Sequence, residues 1–244
     1  MKNILYLFLL LTISSVYAQE SKWVKIEYTQ VLGNQITKSS LEYNNYESIY
    51  LLGNFTKIDT TSANMTYIVT DDIGSVIYKN KIKNKLFSRD ASKEEVVLIN
   101  DVYPTFNWKI YDETKKVDAL ILKKATTNFR GRDYIAWFDE TMPSSNGPLK
   151  MGGLPGTILE LSTVDGFLNI SFDKIYTNEN KSENLDRILN KFDRVTTQKE
   201  WVEEVKEKIK NYIATMKARQ GRDEIMNITF DDPLERKYEW EEIK

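Results

Sequence analysis

The chain has 244 residues, with 34 lysines and arginines against 36 aspartates and glutamates, and 41% of it is hydrophobic. It holds no histidine and no cysteine, which excludes disulfides, thiol catalysis, thiolate metal sites, the histidine base of a serine triad and the usual imidazole ligands of zinc, copper and nickel. With the charges nearly balanced there is no basic excess to release counterions, so nucleic acid is not an expected partner, and no cofactor is expected.

The first element in chain order reads as an export signal. Lys2 supplies the positive n-region, residues 4–13 are apolar apart from Thr12, and Val16 and Ala18 place small residues before a cleavage point between Ala18 and Gln19. The apolar run is about half of the roughly 20 residues a spanning helix needs. No cysteine follows it, which excludes a lipid-modified mature N-terminus. No later stretch is long enough to span a bilayer, so the mature chain is expected to carry no transmembrane segment. Loss of Lys2 with the signal makes the mature chain one charge more acidic.

From residue 22 to 32 the side chains alternate, with Trp23, Lys25, Glu27 and Thr29 on one side and Val24, Ile26, Tyr28 and Gln30 on the other, which is strand periodicity. Gly33-Asn34 supplies a two-residue turn, and residues 35–43 and 47–52 read as the next strands. Residues 65–70 and 75–81 flank Asp71-Asp72-Ile73-Gly74 as another hairpin. Strands over 96–99, 106–111, 117–124 and 132–138 continue the series, with Asp112-Glu113-Thr114-Lys115 as the turn between two of them. Residues 157–164 and 167–176 pair across Asp165-Gly166, the strongest hairpin signal in the chain.

The character then changes to helical. Residues 185–192 read as a short helix, and Thr197-Gln198-Lys199-Glu200 has the form of a capping box. Behind it Trp201, Val202, Val205, Ile209, Tyr212, Ile213 and Met216 recur at helical spacing, either to cover the sheet or to close a binding cavity as a lid. Gly221 is the stop, and a last strand over 224–230 precedes a charged tail. The expected fold is mainly β with a C-terminal helix (α+β): about ten short strands in an antiparallel meander curled into a sandwich or an open barrel, with the amphipathic helix packed on it. The expected organisation is a signal peptide over 1–18 and a single β-rich domain over 19–244, its helical segment at about 197–220.

One block is not generic. Lys124-Ala125-Thr126-Thr127, Phe129-Arg130-Gly131-Arg132, Ala136-Trp137-Phe138, Met142-Pro143, Gly147-Pro148 and Gly153-Leu154-Pro155-Gly156 follow one another in order. In these six linked pieces the chain resembles the GLPGLI family of exported bacterial proteins. Residues 41–50 and Trp108-Lys109-Ile110 fit that family's upstream pattern more loosely, and Asp232-Pro233-Leu234-Glu235 resembles a common ending. Thr157 departs from the name motif, and Leu122 lies near where many relatives carry a cysteine. The resemblance implies an exported β-rich protein, often encoded beside TonB-dependent receptors of the outer membrane. It implies no catalytic residue.

Within this block, read as one strand over 129–138, Arg130 and Arg132 share a face with Tyr134 while Phe129, Ile135 and Trp137 share the other. The two guanidiniums either fork onto a partner's carboxylate or phosphate, or pair internally with Asp133, Asp139 or Glu140. Gly147, Pro148, Gly153, Leu154, Pro155 and Gly156 fix an unusual backbone path, as a structural corner or as a recognition loop. That loop lacks the lysine-serine or lysine-threonine ending of a phosphate loop. The carboxylate pairs Asp71-Asp72, Glu94-Glu95, Asp139-Glu140 and Asp231-Asp232 have no spacing that suits a calcium or glycosidase site, and read as solvated turns.

The leading expectation is therefore a non-enzymatic, periplasmic or surface-associated protein that binds a protein or peptide partner at the outer membrane. Its binding residues are Arg130, Arg132, Trp137, Gly147, Pro148, Gly153, Leu154, Pro155 and Gly156. A carrier of an apolar ligand in the curved sheet is the second reading and a carboxylate-based hydrolase the third. The sequence leaves the oligomeric state open.

Overall fold

A computed structural model of the chain describes residues 22–52, 73–91, 95–142, 144–180, 184–219 and 234–241. The first run of strands is β1 (Trp23–Leu32), β2 (Gln35–Tyr43), β3 (Glu47–Leu52), β4 (Val76–Asn80), β5 (Lys85–Ala91) and β6 (Val96–Asp101). The second is β7 (Lys109–Val117), β8 (Leu120–Phe129), β9 (Arg132–Asp139), β10 (Thr157–Thr163) and β11 (Leu168–Glu179). Helix α1 (Asn184–Asn190), the short strand β12 (Arg194–Thr197) and helix α2 (Gln198–Arg219) follow.

All twelve strands lie in one sheet, ordered β12-β6-β5-β4-β3-β2-β1-β11-β10-β9-β8-β7. Each run is an antiparallel meander, and the two join where β1 pairs with β11, Ile26 opposite Ile175 and Leu32 opposite Leu168. The turns follow local chemistry: Gly33 at φ 56° turns β1 into β2, and Gly166 at φ 73° turns β10 into β11. Among the described strands only β12 runs parallel to its neighbour, Arg194 opposite Val97 in β6.

The sheet is strongly curled, although its edge strands β12 and β7 do not pair. Strand β6 is second in the order and β7 twelfth; flat, they would stand about 48 Å apart at about 4.8 Å a strand. Yet the chain passes from Asp101 to Lys109, which reaches at most about 29 Å. Arg130, in the β8–β9 turn, hydrogen-bonds Asp101 at the end of β6 at 2.7 Å. Across the concave interior the Tyr43 hydroxyl meets the Thr157 hydroxyl at 3.0 Å, and Tyr28 donates to the Ile158 carbonyl at 3.0 Å.

Two cores result. The main one draws on both meanders, with Ile26, Tyr28, Leu41 and Tyr50 from the first and Leu122, Tyr134, Phe138, Ile158 and Ile170 from the second. The smaller one packs Trp23, Ile49, Tyr78, Phe87 and Leu98 under α1, whose Leu185 and Ile188 are buried. The capping box forms: Thr197 Oγ1 accepts from the Glu200 amide at 3.2 Å and Glu200 accepts from the Thr197 amide at 3.0 Å. Of the helix stripe, Val202 is buried, Trp201, Val205, Ile209, Ile213 and Met216 are half-buried, and Tyr212 is 52% exposed.

Several local expectations change. Residues 112–115 lie inside β7, where the ladder with β8 carries an irregularity between Ile110 and Thr114, and the hairpin turns instead at Asp118, φ 51°. Residues 129–138 are not one strand, because Arg130 (φ 45°) and Gly131 (φ 82°) form a two-residue turn with both residues left-handed. Strands β5 and β12 were not anticipated. The expected signal, the strands over 65–70 and 224–230, the stop at Gly221 and the pairs Asp71-Asp72 and Asp231-Asp232 lie outside the described residues.

Candidate functional site

Arg130 lies in the β8–β9 turn, and Arg132 opens β9 directly after it. Main-chain geometry ties this corner to the tail, since the Arg130 carbonyl accepts from the amides of Arg236 at 2.8 Å and Lys237 at 3.1 Å. A side chain at 131 would be crowded by the same docking, as its Cβ would lie 3.2 Å from those of Arg236 and Lys237, and strained by the left-handed backbone.

Both guanidiniums are engaged within the chain. Arg130 forks onto Asp101, with NH1 and NH2 each 2.7 Å from a carboxylate oxygen, and reaches Glu235 at 2.8 Å and Glu239 at 3.1 Å. Lys150 completes the cluster, 2.8 Å from Asp101 and 2.7 Å from Glu235. The Arg130 and Asp101 side chains are each only 2% exposed. Burial works to raise the Asp101 carboxyl, but the bonds from Arg130 and Lys150 outweigh it and hold it below its ordinary range. Burial likewise opposes charge on Arg130, and Asp101, Glu235 and Glu239 overcome it. Arg132 donates to the Leu234 carbonyl at 3.1 Å, pairs with Asp165 and stacks over Phe167 at 4.2 Å. Internal pairing is thus the arrangement found, with partners from β6, the β10–β11 turn and the tail in place of Asp133, Asp139 or Glu140. Asp139 instead caps its own turn, accepting from the Thr141 amide at 2.8 Å. Trp137 is half-buried on β9 beneath the Lys115 ammonium, 4.5 Å from the ring centre.

The glycine-proline loop between β9 and β10 folds back on itself. Asn146 bridges to Gly152, the Gly153 amide donates to the Ser145 carbonyl at 2.8 Å, and the Trp108 indole donates to the Gly152 carbonyl at 2.8 Å. Gly147 and Pro148 are buried, and a Cβ at 147 would lie 2.8 Å from the side chain of Ile158. Gly153 takes φ 86°, while a Cβ at Gly156 would come within 2.2 Å of the Asp139 carbonyl oxygen. Leu154 is 1% exposed in the main core, so it plugs the turn from below, and Pro155 is exposed beside it. From the far meander Lys79 pins the loop, donating to the carbonyls of Gly147 at 3.0 Å and Met151 at 2.6 Å. No carboxylate neighbours this ammonium among the described residues, and burial pushes it down to about 7.

Between the loop and the β2–β3 turn opens a cleft of about 440 Å³. Leu154, Pro155 and Gly156 line it, with Asn45, Tyr46, Lys79 and Lys81 from the first meander and Tyr103, Ser144, Ser145 and Asn146 besides. No carboxylate lines it. A second cavity, about 360 Å³, lies between the sheet and the first turn of α2, lined by the apolar Leu52, Val76, Ile77, Ile99 and Trp201, and by polar groups that include Gln30, Gln35, Gln198 and the cations Arg89 and Lys150. Its one carboxyl is Asp90, which burial raises against the opposing effect of Lys208. Among the described residues no group of three or more acidic side chains is placed to hold a metal ion.

Three of the sequence-derived site residues, Leu154, Pro155 and Gly156, thus meet at a cleft, while Arg130, Arg132 and Trp137 do not line it. Sequence reasoning missed Lys79, Tyr46 and Tyr103. A lysine directly after Val76-Ile77-Tyr78 in a strand was the available signal.

No family model matches the chain, and no curated relative does. In fold it is similar to PNGF-II: two structures of that protein, in the C2 and P21 space groups, match with a TM-score of 0.52 at 16% identity over 73% of this chain and 31% of theirs. The chain therefore spans about a third of PNGF-II's length, and at that identity the likeness is one of fold alone.

Proposed function

We propose that this is an exported, non-enzymatic binding protein of the periplasm or outer surface, which takes an extended peptide of an outer-membrane partner, a TonB-dependent receptor component, in the cleft beside the glycine-proline loop. The fold, on this reading, is an open barrel whose curled sheet holds the loop rigid. The observation that carries it is the lining of the cleft. Asn45, Asn146, Ser144 and Ser145 offer the mixed donors and acceptors that a peptide main chain needs, and Tyr46 and Tyr103 offer ring surface. Export and the receptor partnership rest on the N-terminal signal and on the GLPGLI resemblance.

The hydrolase reading asks for two converging carboxyls with unlike proton affinities. The two cavities offer Asp90 alone. The carrier reading keeps a specific support, the apolar lining that Trp201 shares with Leu52, Val76, Ile77 and Ile99, in a cavity large enough for a small ligand. A photo-crosslinker placed at Tyr46 in the exported protein tests the leading reading. It is expected to join a receptor component in an outer-membrane extract, and Asn146→Asp is expected to weaken that capture. Capture that is the same from a crosslinker at Lys38, on the β2 strand away from the cleft, would overturn it.

A further inference from the structure

Residues 79–85 read Lys-Asn-Lys-Ile-Lys-Asn-Lys, four lysines in seven residues, and from Ile73 to Arg89 there is no acidic residue in a chain that carries 36. The structure turns this run into a hairpin tip. Asn80 Oδ1 accepts from the Lys83 amide at 2.9 Å, the Asn84 amide donates to the Lys81 carbonyl at 3.3 Å, and Asn84 takes φ 48° to bring the chain into β5. The Lys81 amide donates to the Tyr46 carbonyl at 3.0 Å, which sets the β2–β3 turn beside the tip.

Lys81, Lys83 and Lys85 are exposed, and none has a carboxylate within ion-pairing distance among the described residues. The acidic residue on the neighbouring strand, Glu47, accepts from the Tyr78 hydroxyl at 2.6 Å. Between the lysines Ile82 stands 71% exposed, and Tyr46 beside them is 50% exposed. A free phosphate or a small carboxylate would satisfy the ammonium groups and leave both apolar groups in water. A charged interface with an apolar layer beneath it satisfies both, the lysines at the headgroups and Ile82 and Tyr46 below them.

We propose that the β4–β5 hairpin tip, through Lys81, Ile82, Lys83 and Lys85 with Tyr46 alongside, is a docking surface for the anionic phosphate headgroups of a lipid membrane. The inference goes beyond the peptide-binding reading and does not depend on it.

Sedimentation with protein-free vesicles tests the surface and keeps the two readings apart. The purified exported protein is expected to bind phosphatidylglycerol-containing vesicles, to release as salt is raised, and to ignore pure phosphatidylcholine. The triple variant Lys81→Ala, Lys83→Ala, Lys85→Ala is expected to lose roughly a hundredfold in partitioning, at about fivefold per lysine. Ile82→Ser should lose less and keep the same salt dependence. Removing the same charge from α2 by Lys206→Ala, Lys208→Ala, Lys210→Ala should leave binding unchanged. Equal binding to both lipids, equal losses in the two triple variants, or binding of inorganic phosphate without vesicle binding would each overturn the proposal. All of the hairpin substitutions are at exposed side chains, and an unchanged melting temperature verifies that the variants are folded.

Discussion

Lys79 and Arg130 are both cations taken out of water, and their surroundings treat them in opposite ways. Arg130 meets Asp101 in a two-pronged bond and adds Glu235 and Glu239, so its charge and theirs are stabilised together. Among the described residues Lys79 meets only the carbonyls of Gly147 and Met151, dipoles in place of a counter-charge, and the free amine gains. A lysine ordinarily holds its proton to 10.5, and here it releases it at about 7. Between those values the unfolded chain binds a proton that the folded chain does not, so stability rises with pH across the window. The gradient for one such group approaches about 1.4 kcal/mol per pH unit. Urea unfolding at several pH values inside the window is expected to give this gradient in the wild type and a flatter one in Lys79→Met. Parallel gradients would mean that the amine titrates as if exposed. The slope has the same sign for Asp101 in a more acidic window: its carboxyl is held below 3.8, so its contribution is complete above that value and is lost as pH falls through the folded-state value.

At the scale of elements, the glycine-proline loop separates two reasons for a glycine. Gly153 has a left-handed backbone but open space, its nearest would-be neighbour being the Trp108 indole at 3.8 Å. Gly156 has the Asp139 carbonyl oxygen 2.2 Å from where a Cβ would sit. Gly153→Ala should therefore cost only the backbone strain, about 1–2 kcal/mol, while Gly156→Ala should cost more because the end of β9 must move. Denaturant midpoints check the order, and equal midpoints would refute the close approach at Gly156. That a loop rich in glycine and proline would take an unusual backbone path was legible in the sequence, as were the strands on either side of Gly33 and Asp165-Gly166 and the capping box at Thr197. Other elements were not. An alternation of period two continues smoothly through Arg130-Gly131, so a turn made by a left-handed arginine is invisible to it. The charged run over 112–115 looks like a turn but lies within an edge strand, where charge protects against further pairing. The partners of Arg130 were hidden for another reason: Asp101 is 29 residues away and Glu235 is 105 away, and only the curl of the sheet brings them together.

That curl is a property of the whole chain, because the contact that makes one sheet of two meanders joins its first strand to its eleventh. Neither meander owns the main core. Ile26, Tyr28, Leu41, Tyr43 and Tyr50 contribute one side and Leu122, Phe138, Ile158, Leu161 and Ile170 the other, so separating the two at the β1–β11 seam would expose both halves at once. The ion cluster around Arg130 adds a second tie, from β6 to the β8–β9 turn and the tail. Surface lost from both sides of one core gives a cooperative transition, as contiguous burial does in other single domains. Two variants that each keep one informative tryptophan can test this. One retains Trp23, buried at 3% in the first meander, and the other retains Trp137 on β9. If the halves stand or fall together, the fluorescence of the two variants should report the same urea midpoint once each is referenced to its own circular dichroism. A Trp23 signal that persists after the Trp137 signal is lost, or the reverse, would show that each meander has a stability of its own and that the seam is a contact between two folded units.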